Sequence, residues 1–376
     1  MPPEGTYNSS AAPRAVAKSE KAFLDKGLSD ECLMLFGIGD GGGGPGEEHL
    51  ERLRRERNIN GIAPVKQEPS SNFFKRIEKD IDKYSVWSGE LYLEKHQGTY
   101  TTHGKNKKYN RKMEIALKNL ELAAMQAKVL GKGEYPQDEI EKVWKEVLLY
   151  QFHDILPGSS IKEVYDVTKE EYKDLIEKGN NFVGSALDNI TSEINLKERS
   201  VVVFNSLGFE RDDIATFDVP EDIENPSVLD GEEEIICQRI DDGEKAIFFA
   251  KGIPANGYKS FKIIESTNKE VENVSLSEKE AENDFLRIKF NEEGNIVSLF
   301  DKRAEREVLK EGTLGNRIQA FEDKPMEYSN WDIDIYYKEK MWKVDDVQSI
   351  EVIERGPVRS TLKIERKFLE SIIVQK

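Results

Sequence analysis

The sequence predicts a multidomain α+β protein, in which an α/β segment is followed by three amphipathic helices and then by an antiparallel β-sandwich. Three observations predict it. Short apolar runs alternate with helical patterns at the start of the chain, a helical period runs from Lys105 to Ile194, and from Ser200 onward the period falls to two. The 376 residues exceed what one hydrophobic core normally serves, which fits domains at 1–85, 86–197 and 198–376.

Composition narrows the partners. Contents of 38% hydrophobic and 34% charged residues describe an ordinary soluble protein. The net charge of −17 argues against nucleic acid and against an anionic membrane, since either needs a cationic face. A neutral polar ligand is easier to accommodate. Cys32 and Cys237 form no pattern of bridges or metal ligands, which points to buried thiols in a reducing compartment. No apolar run reaches the ~18 residues of a membrane span. Met1-Pro2-Pro3-Glu4 is no signal peptide, so a cytoplasmic location is expected if Met1 is a true start.

Within residues 1–85, Cys32 to Ile38 (CLMLFGI) is an apolar run set against a glycine cluster, as a buried parallel strand is. Glu47 to Arg57 reads as a helix, Ile59 to Val65 as a second strand and Ser71 to Tyr84 as a second helix, implying βαβ packing. Two strands do not make such a sheet, so the start of this domain is expected to be absent. Between strand and helix lies Gly39-Asp40-Gly41-Gly42-Gly43-Gly44-Pro45. Its glycines let the backbone approach a ligand or take positive φ, and Asp40 is its one ionisable group. The turn falls at the carboxyl end of a strand, where α/β domains carry function. Gly37, Gly39 and Gly42 also satisfy G-x-G-x-x-G, so a dinucleotide-binding oxidoreductase competes; Pro64 in the next strand and the lack of the rest of such a fold weigh against it. A plain flexible loop is the bland alternative, although four glycines in a row are costly to order.

Trp87 to Thr102 (WSGELYLEKHQGTYTT) alternates and is rich in aromatics and threonine. It reads as an extended segment with hydroxyls facing a cleft, or as an ordinary edge strand. Lys105 to Leu130 is a long helix with the stripe Tyr109, Met113, Ala116, Leu117, Leu120, Ala124, Ala127, ended by Gly131 and Gly133. Pro136 begins the next, with the stripe Ile140, Val143, Trp144, Val147, Leu148.

This second helix runs into the stretch Trp144 to Ile161, WKEVLLYQFHDILPGSSI, which places His153 and Asp154 at the helix end. Pro157 and Gly158 are expected to cut the helix off, and Ser160 with Glu163 to start another as a capping box. His153 lies ~140° round the helix from Leu148 and so points off the stripe. A histidine there often only complements the negative end of the helix dipole. Beside an aspartate it also suits a metal-and-substrate arrangement, because a neutral imidazole ligates a cation while a carboxylate accepts hydroxyl hydrogens. One histidine does not hold a metal alone. Ile161 to Ile194 supplies the third helix through Val164, Tyr165, Tyr172, Leu175, Ile176, Val183, Leu187 and Ile190, completing a three-helix bundle.

From Ser200, the runs Val201–Phe204, Ala246–Ala250, Tyr258–Ile264, Phe285–Phe290, Ile296–Phe300 and Ser360–Lys367 read as strands. Asp242-Gly243, Asn256-Gly257 and Glu293-Gly294 mark turns between them, and an antiparallel sandwich follows. Ile372-Ile373-Val374 ends the sequence inside an apparent strand, where a natural boundary is not expected because an unpaired apolar edge invites aggregation.

Taken in order, the Gly39–Pro45 turn, Gly89-Glu90-Leu91-Tyr92-Leu93-Glu94 with Gly98-Thr99-Tyr100-Thr101, and Gln151-Phe152-His153-Asp154-Ile155-Leu156-Pro157-Gly158-Ser159-Ser160 resemble the class II α-mannosidases, glycoside hydrolase family 38. The resemblance covers essentially the whole chain. It implies the remnant of an α/β catalytic domain built on a seven-stranded barrel-like sheet, then a three-helix middle domain, then β-sandwich domains truncated here at the C-terminal end. It implies an exo-acting, retaining hydrolase of α-mannosides with one catalytic Zn2+, acting on mannose-containing oligosaccharides or glycans. By that resemblance His153 is a zinc ligand, Asp154 contacts the sugar hydroxyls, Asp40 is the acid/base and Trp87 helps to wall the sugar pocket. This chain has Gly-Asp-Gly where some members have Gly-Asp-Asp, and His96-Gln97-Gly98-Thr99 where the family often reads His-Arg-Gly-Thr. A retaining mechanism needs a second carboxylate roughly 5 Å from the acid/base.

The family's other zinc ligands are a His-x-Asp pair and the nucleophilic aspartate. None of His49, His96, His103 and His153 is followed two residues later by aspartate, so the resemblance implies an internal fragment with an incomplete zinc site and no nucleophile. Alone, it is expected neither to hydrolyse mannosides nor to hold zinc tightly. The alternative from another class is a non-catalytic carbohydrate-binding or scaffolding module. Assembly as a homo-oligomer is left open.

Overall fold

In the computed structural model, which describes residues 5–39, 41–89, 95–266 and 274–376, the chain divides into two units, Met1–Tyr92 and Leu93–Lys376. The first unit is built of short helices. Helix α1 (Pro13–Ala22) opens with a proline where its missing N–H is no loss, and buries Ala15, Val16 and Ser19. Helix α2 (Glu47–Arg55) carries Glu47 and Glu48 in its first turn and Arg52, Arg54 and Arg55 in its last, the charge order that the helix dipole favours. It buries Leu53 and runs into a 3₁₀ turn at Glu56–Asn58. Helix α3 (Ser70–Ile77) follows Pro69 and continues as a 3₁₀ stretch, Glu78–Lys83. The guanidinium of Arg76 ties this last helix to Glu31 and Glu68.

The two strands expected in this unit do not form. Of Cys32 to Ile38, only Phe36 makes a β-bridge, a parallel one with Ser9, in which Ser9 N–H donates to Leu35 O at 3.1 Å and Gly37 N–H to Ser9 O at 3.2 Å. Ile59 to Val65 joins no ladder among the described residues. The reason is physical: a helix satisfies its own backbone, whereas a strand exists only through the ladder it shares. Without a strand before the glycine turn, and with α2 starting only at Glu47, the strand–turn–helix setting of a dinucleotide site is not present either.

In the second unit, Gly104–Val129 (α4), Gln137–Tyr150 (α5) and Lys162–Thr191 (α6) form three helices. Met113, Leu117, Val143, Val147, Tyr150, Tyr172 and Leu175 make one core cluster from all three. Leu120, Ala123, Ala124, Ala127, Ile140, Ala186 and Ile190 make a second. The alanines of α4 and Gly179 of α6 keep the side chains between the two helices short: a Cβ on Gly179 would lie 3.4 Å from Met113 Cε and 3.5 Å from Ala116 Cβ. Gly131, at φ +70°, ends α4, with Lys132 N–H returning to Ala127 O at 2.9 Å. The stripe of α5 differs from the expected one at its end: Ile140, Val143, Val147 and Tyr150 are buried, while Leu148 is exposed. No helix among the described residues is long and apolar enough to cross a membrane.

Trp87 to Thr102 forms no strand among its described residues. Gly98–Tyr100 is a 3₁₀ turn, because Thr99 Oγ1 donates back to His96 O at 2.6 Å and Thr102 Oγ1 to Gly98 O at 2.7 Å. Residues 90–94 lie outside the described residues.

Among the described residues, every strand pairing from Ser200 onward is antiparallel. A four-stranded sheet orders Ser200–Asn205, Gly257–Glu265, Pro226–Asp230 and Glu233–Ile236. A three-stranded sheet orders Arg211–Asp218, Lys245–Ile253 and Gln238–Ile240. Phe217, Ala246, Phe248, Ala250 and Ile253 from the second sheet share one core with Val228 and Phe261 from the first. Asn256 at φ +49° and Gly294 at φ +67° occupy two of the expected turns. Further along, a five-stranded sheet spans Ser275 to Glu307, Gln319–Phe321 pairs with Met341–Lys343, and Val347–Glu354, Thr361–Phe368 and Ser371–Gln375 form a third small sheet. Ile372, Ile373 and Val374 pair with Lys367, Arg366 and Glu365.

Candidate functional site

His153 and Asp154 sit in a run of turns, not on a helix. Helix α5 ends at Tyr150, and Gln151 N–H reaches both Val147 O and Leu148 O before the chain tightens through Phe152 N–H to Leu149 O at 3.1 Å. The amide of Gln151 meanwhile donates to Asn110 Oδ1 and Glu114 Oε1 of α4, both at 3.1 Å. The helix thus stops before Pro157 and Gly158, and His153 lies three residues beyond it. His153 therefore lies beyond the last turn of α5, within which the helix dipole acts most strongly.

The turn is held from several sides. Asp154 O accepts from Ser160 Oγ at 2.7 Å and from Tyr165 OH at 3.0 Å, while Tyr165 OH accepts from Ser160 N–H at 2.9 Å. Ser160 is therefore spent on Asp154, and α6 starts after Ile161 with no side-chain cap in place of the expected capping box. Tyr165 is buried, and the His103 ring stacks on it at 3.8 Å and 10°. Gly158, at φ +99°, is required: a Cβ there would lie 2.7 Å from Thr102 Cγ2 and 2.8 Å from Thr102 O. On the far side of that contact Thr102 Oγ1 reaches Asn330 O at 3.2 Å, and Gly98 N–H donates to Trp331 O at 2.8 Å. The indole of Trp331 meets His96 edge-on at 4.9 Å. A loop of the β region, the Gly98–Thr102 turn and the His153–Asp154 turn thus form one continuous wall.

Two side chains of that wall face outward. His153 is 74% exposed, tilts against Phe152 at 4.1 Å, and brings Nε2 to 3.3 Å from Asp154 Oδ2. Asp154 Oδ1 accepts from Ser159 Oγ at 2.8 Å, leaving Oδ2 open to a ligand or to the imidazole. Such a pair offers an acceptor for hydroxyl hydrogens beside an imidazole nitrogen. Behind it, Lys107 is half-buried, and burial pulls its ammonium below the usual lysine range.

As a metal site the pair is insufficient. Among the described residues no three histidine, cysteine, aspartate or glutamate side chains come together closely enough to hold an ion, so His153 and Asp154 do not by themselves fit zinc. Asp40 lies outside the described residues, and Trp87 belongs to the first unit, where it is exposed. The structure brings together His153 and Asp154 of the sequence candidates. Lys107, Thr102, Tyr165 and Trp331 were not singled out as site residues by the sequence, since their contacts join positions 11 to 228 residues apart.

Comparison with known proteins identifies the family of the chain. Three family models match in chain order: the glycosyl hydrolases family 38 N-terminal domain over residues 1–90, the alpha mannosidase middle domain over 94–190, and the glycosyl hydrolases family 38 C-terminal domain over 281–376. Alpha-mannosidase G of Dictyostelium discoideum is 30% identical across 97% of this chain and 36% of its own length. Alpha-mannosidase 2C1 of Homo sapiens is 28% identical across 90% of this chain and 31% of its own length. The chain thus spans about a third of the length of these curated relatives. An alpha-mannosidase structure from Enterococcus faecalis V583 superposes with a TM-score of 0.64 at 17% identity, over 96% of this chain and 47% of that one, a likeness of fold.

Proposed function

The chain belongs to glycoside hydrolase family 38, and on that premise we propose that the protein containing it is a zinc-dependent, retaining exo-α-mannosidase acting on mannose-terminated oligosaccharides. The observation that carries the proposal is the run of three family models, in order, around an exposed His153–Asp154 pair fixed by a rigid turn. In this reading the chain supplies the end of the α/β catalytic domain, a three-helix middle domain over 86–197 and the start of a β-sandwich region. Zinc would supply Lewis-acid polarisation of sugar hydroxyls. His153 would be one of its ligands, the others coming from outside this sequence.

The carboxylate that would take the glycosyl group as the glycosidic bond breaks is expected from elsewhere in the full-length protein, and this chain's residues have the other roles. Asp154 accepts hydroxyl hydrogens of the terminal sugar through Oδ2, with Oδ1 kept in place by Ser159. Asp40 donates a proton to the departing glycosidic oxygen and later takes one from water, as a retaining mechanism requires of its acid/base. Trp87 offers an apolar face to the sugar ring. A cytoplasmic setting belongs to the same reading, supported by the unpaired thiols of Cys32 and Cys237, both raised by burial, the latter to about 12.

Hydrolysis of an aryl α-mannoside tests the proposal. The full-length protein is expected to turn it over and to lose activity on chelation, with His153→Ala and Asp154→Ala each reducing kcat/KM by about 100-fold or more. The 376-residue chain alone is expected to be inactive. Full-length protein that retains mannosides without cleaving them would instead favour a non-catalytic carbohydrate-binding module.

A further inference from the structure

Lys107 lies one turn into α4, half-buried, and burial alone, with no carboxylate beside it among the described residues, acts on its ammonium. It donates to Thr102 O at 2.6 Å, Leu156 O at 2.8 Å and Pro157 O at 3.1 Å. An ammonium has three N–H groups, and here each has a backbone carbonyl. Two of those carbonyls belong to the turn that carries His153 and Asp154; the third belongs to the Gly98–Thr102 turn. Asn106, the neighbouring residue, adds a longer contact from Nδ2 to Ile155 O at 3.4 Å.

Ser160 and Tyr165 hold Asp154 O, Tyr165 also reaches Ile155 O, and the Lys107 bonds extend that hold to the next two carbonyls, Leu156 O and Pro157 O. Pro157 has no N–H to donate, Gly158 sits at a backbone angle that other residues avoid, and Thr102 presses against Gly158 from the opposite side. Without Lys107 the carbonyls of Leu156 and Pro157 lose their donor beside Gly158, so the stretch after Asp154 keeps only its bonds at Ile155 O and the turn amides and gains room to shift. A compact ammonium on a flexible stem converges on three acceptors, whereas the planar fork of a guanidinium does not.

We propose that Lys107 is a positioning residue: by tying Leu156 O and Pro157 O to Thr102 O it sets where His153 and Asp154 point in the proposed mannosidase site. The inference rests on the function proposed above for that site, but its geometric half is testable without it. Lys107 touches no reacting group and is not itself catalytic.

Three variants test it. Lys107→Met keeps the stem and removes the charge, Lys107→Arg keeps the charge and changes its shape, and Lys107→Cys treated after folding with 2-bromoethylamine restores an ammonium at the original length. Wild type treated in the same way controls for Cys32 and Cys237. In the 376-residue chain, the His153 ring proton resonances, assigned by their loss in His153→Gln, are expected to shift and broaden in the Met and Arg variants. They should return to the wild-type positions in the aminoethylated one. In the full-length protein, kcat on an aryl α-mannoside should fall by about 10- to 100-fold, with KM much less affected, and recover on aminoethylation. Unchanged His153 resonances and kcat in Lys107→Met overturn the inference, as does a loss that aminoethylation does not repair. If Lys107→Met fails to fold, unaltered resonances in Lys107→Arg overturn it equally. Wild-type protein that cleaves no mannoside overturns the proposed function alone and leaves the resonances to decide the role of Lys107.

Discussion

The helices of the second unit and the apolar runs of the first start from similar material and end differently. Met113, Leu117 and Tyr172 are completely buried between α4, α5 and α6, whereas Leu35, Ile38 and Ile59, in the runs that read as strands, stay 37–54% exposed. The difference lies in where the backbone bonds are made. An amphipathic helix closes its own hydrogen bonds and needs only a face to bury, so its period in the sequence is already most of the answer. A strand needs a partner for every N–H and C=O, and among the described residues Phe36 finds a single bridge, to Ser9.

The largest expected effect tests that contrast directly. Leu117→Ala removes a fully buried side chain from the cluster shared by three helices and should destabilise the second unit by about 3–5 kcal/mol in urea unfolding followed by circular dichroism. Leu35→Ala, in the unpaired run, should cost within about 1 kcal/mol. Equal losses would mean that Cys32 to Ile38 is packed as tightly as the helices, and the contrast would fail.

How far the sequence was legible follows the same division. The three helices, the turns at Gly131 and at Asn256-Gly257, and the strands around Ala246–Ala250 and Tyr258–Ile264 announce themselves through period and turn chemistry. Arg211–Asp218 and Val347–Glu354 do not, because each mixes charged residues into a short strand whose existence depends on a distant partner. At the site, His153 and Asp154 were readable from their own short stretch. The lysine that braces them was not: Lys107 looks like any solvated helix lysine until Leu156 and Pro157, 49 and 50 residues away, are brought against it.

The first unit buries a carboxylate that has no hydrogen-bond partner among the described residues. Glu56 is 1% exposed in the first unit, and neither of its carboxylate oxygens has a hydrogen-bond partner. Burial pushes its carboxyl above the ordinary glutamate range, with the charge of Arg52 pulling the other way. Because the folded value exceeds the unfolded one, the folded state holds the proton more firmly. The stability this contributes is complete below the unfolded value of ~4.3 and is lost as pH rises through the raised folded value. Glu56→Gln should remove that slope. Glu56→Met, close in volume, should gain about 1–3 kcal/mol at neutral pH by removing a buried group without partners. A pH-independent wild type, with no gain in the Met variant, would show the first unit to be better satisfied than its buried carboxylate implies.

Within the helices, α5 carries both buried and exposed apolar residues. Ile140, Val143, Val147 and Tyr150 follow the alternating three- and four-residue steps of a seam shared by neighbouring helices. Leu148 sits on the wider stripe of an amphipathic surface helix, and reading that wider stripe places it in the core. In the structure α5 contacts its neighbours along the narrower seam, so Val147 is 0% exposed, Leu148 57% and Tyr150 5%. Leu148→Ala should therefore shift stability by no more than about 0.5 kcal/mol, read as the urea midpoint at constant slope. A loss near that of Leu117→Ala would place Leu148 in an interior, and the narrow seam would no longer account for how α5 packs.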